Sequence, residues 1–294
     1  MMSVVGITKS TYSEIHDKIG VAIERGGGID TSDDDKVVIK INLCDFRATE
    51  SGAVTHPIFL DAVLNHFRSL SENADLTVVE SDATVARPDV LKRWLGIEPI
   101  IDKHHAKWMN LTSDATVEKR IAGRHFESLA IPKVIADSDH FVTIPKLKTH
   151  LLTKITCCLK NQYGCIPYRR KIKFHPVLDD VIVDASLAMR ANFCIVDGIL
   201  GMGGVKGPDM GTPIKSNVVV TGADPVAVDS VCAQIMGFDP KSIGHLTKAE
   251  RAGIGKMHCR IVGEHVNEVK KDFEYNYAYA WLLRAILFNI KRRQ

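Results

Sequence analysis

The run Lys36-Val37-Val38-Ile39-Lys40-Ile41-Asn42-Leu43 constrains this chain more than any other feature. It is β-branched through its centre and becomes polar only towards its carboxyl end, as an inner strand covered on both faces does. Leu76-Thr77-Val78-Val79 repeats the pattern and is followed by Glu80, Ser81 and Asp82. Between the two, Pro57 suits the first turn of a helix reaching Leu70. Further strands are expected over 140–144, 193–196, 218–221 and 260–262. Helices are expected over 11–25, 132–137, 151–161, 178–190, 225–236 and 242–252. This alternation predicts a Rossmann-like α/β fold, a mainly parallel sheet with helices on both faces. The less regular stretch 87–127 reads as an inserted cap or second small lobe within a single domain spanning 1–294.

In such sheets ligands gather outside the carboxyl ends of the strands. Lys40 with Asn42, Glu80 with Ser81, Lys146 with Lys148, and Asp197 are therefore expected to share one crevice. Composition narrows what that crevice serves. The net charge of +3 spreads over 38 basic and 35 acidic residues, too even a balance for a dedicated nucleic-acid binder. No secretory signal or long apolar run is evident, and seven cysteines do not suggest a disulfide framework, so a cytoplasmic location is expected.

The charge is uneven locally. From His140 to Leu178 there is no Asp or Glu, while Lys146, Lys148, His150, Lys154, Lys160, Arg169, Arg170, Lys171, Lys173 and His175 all fall there. Cations without nearby acids raise the potential and draw in carboxylates or phosphates. Lys146, Lys148 and His150 alternate along an extended segment and are expected on one face, gripping an anion while the imidazole moves a proton. A lysine crowded by cations has a depressed pKa and can instead serve as a base or nucleophile. Lys40, Lys160, Asn42 and Asn161 are the expected anchors, and His56 and His175 further proton carriers. The glycine-rich run 198–208 follows Asp197 and is expected to cradle an anion or act as a lid, with Lys206 reaching over it. Asp224 is expected to cap a helix, and Asp229, one turn on, to neutralise a lysine.

Cys157, Cys158 and Cys165 form the one local cysteine cluster, but lack ferredoxin-type spacing. An iron–sulfur redox protein is therefore a rival reading that the spacing disfavours, and no metal ligands are assigned. A non-catalytic module binding an anion or nucleic acid through 169–173 is another. The tail 277–294 resembles an amphipathic helix ending in Lys291-Arg292-Arg293, expected to pack on the body or on a second subunit of a homo-oligomer, or to touch a membrane surface.

Taken in order, Lys40-Ile41-Asn42-Leu43, Thr55-His56-Pro57, Pro145-Lys146-Leu147-Lys148-Thr149-His150, Leu159-Lys160-Asn161 with Gly164, Val196-Asp197-Gly198 and Asp224-Pro225 through Asp229 resemble the domain of unknown function 362 family. Many relatives in that family carry a ferredoxin-like module, which this sequence lacks. The part around 40–79 is also distantly similar in pattern to the amino-terminal part of nickel-dependent lactate racemases. That resemblance implies chemistry on a small acid and transfers no metal residue. Together these features predict an enzyme acting on an anionic small molecule through a Lys/His-rich site.

Overall fold

A computed structural model describes residues 2–84, 86–204, 210–275, 277–280, 282, 285 and 286. The strands of the first half are β1 (Ser3–Lys9), β2 (Lys36–Lys40), β3 (Asp75–Glu80), β4 (Lys107–Asn110), β5 (Thr116–Arg120) and β6 (Ser128–Pro132). Those of the second half are β7 (His140–Thr143), β8 (Lys146–His150), β9 (Lys154–Thr156), β10 (Phe193–Gly203), β11 (Thr212–Gly222) and β12 (Cys259–Gly263). The helices are α1 (Ile15–Arg25), α2 (Pro57–Leu70), α3 (Pro88–Trp94), α4 (Glu98–Lys103) and α5 (Lys133–Ala136). They continue as α6 (Cys158–Tyr163), α7 (Leu178–Ala188), α8 (Pro225–Ile235), α9 (Gly244–Arg251) and α10 (Val266–Val269).

The main sheet runs β12-β1-β11-β10-β7-β2-β3-β4, with β8 and β9 attached beside β10. On that eight-strand path only β11 runs against the others among the described residues, so the sheet is mainly parallel as expected. Strand side chains alternate between two apolar cores. Val38, Phe141, Cys194, Val196 and Val220 join a core with α7, α8 and α9. Val37, Ile39, Val142, Ile195 and Val219 join one with α1 and α2. Both faces are therefore covered, which explains why β2 reads as an unbroken apolar run.

Capping fixes where helices begin. His56 Nδ1 accepts the Ile58 amide ahead of Pro57, and the Asp224 carboxylate accepts the Val226 and Ala227 amides ahead of α8. The stretch 87–127 contributes β4 to the edge of the main sheet and β5 to a separate antiparallel pair with β6.

Three expectations need correction. β1 forms from residues not singled out as a strand. The stretch 151–161 is not one helix, because β8 and β9 form a tight hairpin first, with Lys154 at φ 65. Helix α6 starts only at Cys158, where Asp229 supplies the cap. The glycines of 198–203 lie inside β10 rather than in a cradle or lid. A β-carbon at Gly198 would sit 2.8 Å from the Val218 carbonyl oxygen, and one at Gly201 would overlap the Leu147 carbonyl, so these glycines permit close strand packing. Lys206 and most of 277–294 lie outside the described residues. Among the described residues no helix is long and apolar enough to cross a membrane.

Candidate active site

Lys40 ends β2, Glu80 ends β3 and Lys148 sits on β8, so their side chains converge beyond the carboxyl edge of the sheet. They line a cavity of about 360 Å³ with Asn42, Cys44, Ser81, His150, Thr156, Lys160, Asn161, Tyr163, Lys171 and His175. Helix α6 brings Lys160 and Asn161, and the short 3₁₀ turn Lys171–Val177 brings Lys171 and His175.

The lysines are held in different ways. Lys40 Nζ pairs with Glu80 at 2.6 Å and also donates to the Ile41 carbonyl at 2.6 Å. Glu80 is fixed in turn by the Leu43 and Ser81 amides at 2.7 and 2.8 Å. Lys148 is fully buried and donates to Asn42 Oδ1 at 2.8 Å, the Ala53 carbonyl at 2.6 Å and Cys44 Sγ at 3.1 Å. Lys171 donates to Ser81 Oγ at 2.9 Å and the Asp82 carbonyl at 2.8 Å. Lys160 rests over the Tyr163 ring, 4.6 Å from its centre. Among the described residues, Lys148, Lys160 and Lys171 have no carboxylate within ion-pair distance. The hollow thus carries positive charge that its own walls leave uncancelled.

Burial, with the charges of Lys148, Lys171 and Lys40, brings Lys160 down to about 7. Burial brings Lys171 to about 8, partly offset by Glu80. His175 falls to about 4 through burial and the Lys160 charge. Burial drives His150 well below its ordinary value, helped by Lys160, His175 and Lys148. Both imidazoles are therefore neutral at neutral pH. His150 Nδ1 accepts the Leu152 and Thr153 amides at 3.2 and 3.3 Å, which assigns the ring proton to Nε2.

Asn161 is spent on the protein. Its Oδ1 accepts from Lys40 at 3.3 Å and from Asn42 Nδ2 at 3.0 Å, while its Nδ2 donates to Thr143 Oγ1 and the Lys40 carbonyl. Asn42 and Asn161 therefore position lysines, where direct orientation of a ligand was expected. Thr156 Oγ1 is the opposite case: buried, on the cavity wall, and without a hydrogen-bond partner among the described residues.

The family described as domain of unknown function (DUF362) matches residues 37–234. The chain belongs to that family. A thylakoid-associated protein of Synechocystis sp. is 29% identical over 176 residues, covering 57% of this chain and 54% of that protein. The chain thus spans about half the length of that relative. The lactate racemase apoprotein from Thermoanaerobacterium thermosaccharolyticum is a solved structure with TM-score 0.46 and 15% identity, covering 80% of this chain and 57% of that one.

Not every expected site residue of this DUF362 chain reaches the cavity. Lys146 and Asp197 form a separate buried pair at 2.8 Å, with Tyr12 accepting from Lys146 at 3.1 Å and donating to Asp197 at 3.1 Å. His56 stacks on Tyr12 at 3.8 Å between ring centres. The register of β8 against β10 shifts between Asp197, opposite Lys146, and Met202, opposite Lys148, and the two lysines take different partners, Asp197 and Asn42. Among the described residues Asp229 pairs with no lysine; it accepts the Cys158 and Leu159 amides at 2.7 and 3.1 Å and so anchors α6. Burial raises its carboxyl to about 6.

The rival sites fare differently from the cavity. Burial raises the thiols of Cys157, Cys158 and Cys165 above their ordinary value. Among the described residues no group of three or more His, Cys, Asp or Glu is placed to hold a metal ion. In the run 169–173, Lys171 points inward, Arg169 lies 3.8 Å from Asp82, and Lys173 covers the Tyr168 and Phe174 rings.

Sequence reasoning overlooked Cys44, Thr156, Tyr163 and Lys171 as cavity residues. Lys171 was signalled by the acid-free segment, and Cys44 by its place two residues beyond Asn42. Thr156 carried no signal, because its exposure to the hollow depends on the β8–β9 hairpin.

Proposed function

We propose that this chain is an enzyme that binds a small carboxylate or phosphate anion in the Lys40–Lys148–Lys160–Lys171 hollow and moves a proton on it. The observation that carries this reading is Lys160, a lysine without an acidic partner among the described residues, brought to about 7 inside a positively charged cavity. An amine at that value is present in both forms at neutral pH, as a general base requires. Lys148 and Lys171 offer fixed charge to the anion, and His150 offers its Nε2–H to oxygen charge that develops on the substrate. The neutral imidazole cannot accept a proton at Nδ1 while two amides occupy it, so the proton-carrying role moves from His150 to Lys160.

The test is solvent hydrogen exchange. The protein is incubated in D2O with a panel of small oxo, amino and phosphorylated carboxylic acids, and loss of carbon-bound proton signals is followed by NMR. Exchange is expected for at least one acid, with a fall of about 10²-fold or more in a folded Lys160→Met variant. Absence of exchange across the panel, or full exchange by that variant, contradicts the proposal.

A further inference from the structure

Cys44 lies beside Lys148, its sulfur 3.1 Å from the ammonium nitrogen, on the wall shared with Lys40 and Lys160. The other two acceptors of Lys148 are neutral: Asn42 Oδ1 and the Ala53 carbonyl. A buried ammonium with only neutral acceptors favours a neighbour that can become an anion. The thiol's own donation, to the Ala53 carbonyl, is long at 3.6 Å, and Lys148 competes for that oxygen.

We infer that Cys44 is a nucleophile of this hollow, activated by Lys148 and aimed at an electrophilic carbon of a bound anion. The thiolate is the attacking form of a cysteine, and an adjacent cation stabilises it. A separate observation points to a ligand in the same place: Thr156 Oγ1, 4% exposed as a residue, lines the cavity with no hydrogen-bond partner among the described residues. The other cysteines do not compete. Cys157, Cys158, Cys165, Cys194 and Cys232 are buried, and Cys259 lies on β12, where burial raises its thiol to about 11.

On an acid with a carbonyl beside its carboxylate, the thiol proton passes to the Lys160 amine and the sulfur bonds to the carbonyl carbon. The C=O π pair moves onto oxygen, which takes that proton back from Lys160. The net change is addition of S–H across C=O, with no oxidant or reductant.

The inference rests on the hollow being the anion site proposed above, and alkylation of the whole protein separates the two. At pH 7, iodoacetamide and iodoacetate each form an S–C bond and expel iodide with its electron pair; peptide mass spectrometry locates the product. Iodoacetamide is expected to modify Cys44 at least about tenfold faster than it modifies glutathione. Iodoacetate is expected to react faster still, and inorganic phosphate to slow both reagents. A Cys44 that reacts no faster than glutathione with either reagent overturns the inference. Fast iodoacetamide reaction without a gain for iodoacetate, and without protection by phosphate, upholds the nucleophile and sinks the anion reading instead. A folded Lys148→Met variant should lose the enhancement, and one that retains it overturns the role of Lys148; the wild-type rates decide the matter even where that variant does not fold.

Discussion

Lys160 and Thr156 show how single side chains in this cavity are left for something else to satisfy. The folded chain holds Lys160 at about 7 against an ordinary 10.5, so between those values the unfolded chain binds a proton that the folded chain does not. Stability from this group is therefore present above about 10.5 and is lost as pH falls through about 7. Replacing Lys160 by Met should raise the melting temperature at pH 6, and the gain should shrink steadily as pH rises towards 10.5. Thermal unfolding of both proteins across that range checks it. Thr156→Val removes a buried hydroxyl with no partner and keeps the shape of the side chain. It should stabilise the unliganded protein by about 1 kcal/mol while weakening anion binding, measured by denaturant unfolding and calorimetry. Lys40, Lys148 and Lys160 were legible because an acid-free segment and polar strand ends are one-dimensional patterns, whereas Lys171 stood out only as one cation among many in that segment. Which of them pair was not: Lys146 and Lys148 are two residues apart in sequence, yet one faces Asp197 and the other Asn42.

At the scale of elements, helix α6 is what brings Lys160 into place, and Asp229 is what holds α6. The cap comes from the first turns of α8, some seventy positions away. Asp229→Ala should cost about 1–2 kcal/mol and, by loosening α6, return Lys160 towards its ordinary value. Asp229→Asn keeps one acceptor and should cost less. Unfolding midpoints together with the pH profile of activity separate the stability effect from the positioning effect. Asp184 acts in the same way on the loop before β6, accepting the Arg124, His125 and Phe126 amides at 2.6–2.8 Å. Neither role was readable in sequence, since a carboxylate that caps a distant helix looks the same as one that pairs with a lysine. The β8–β9 hairpin was hidden for a related reason. Leu151 to Asn161 has apolar spacing that suits a helix, and the positive φ at Lys154 that breaks it is not expected of a lysine.

At the scale of the whole molecule, the alternation of strands and helices was plain because a parallel strand buried on both faces must be apolar along its length. The rule that ligands gather beyond strand ends pointed to the edge of the sheet where Lys40, Glu80 and Lys148 line a cavity, but Lys146 and Asp197, expected in the same crevice, pair with each other outside it. What alternation could not give was the direction of β11, which on the eight-strand path runs against the other described strands. An anion bound to the folded form alone should raise the melting temperature with concentration, by about 2.7 kcal/mol at one hundred times its dissociation constant. Because the receiving lysines are buried, that gain should persist at salt concentrations that abolish surface attraction.

The most direct measurement is the titration of Lys160 itself, followed through the ¹³C shift of its ε-carbon and assigned by its disappearance in Lys160→Met. The predicted result is a midpoint near 7 that climbs when inorganic phosphate is added. A midpoint near the ordinary 10.5, unmoved by phosphate, would contradict the account.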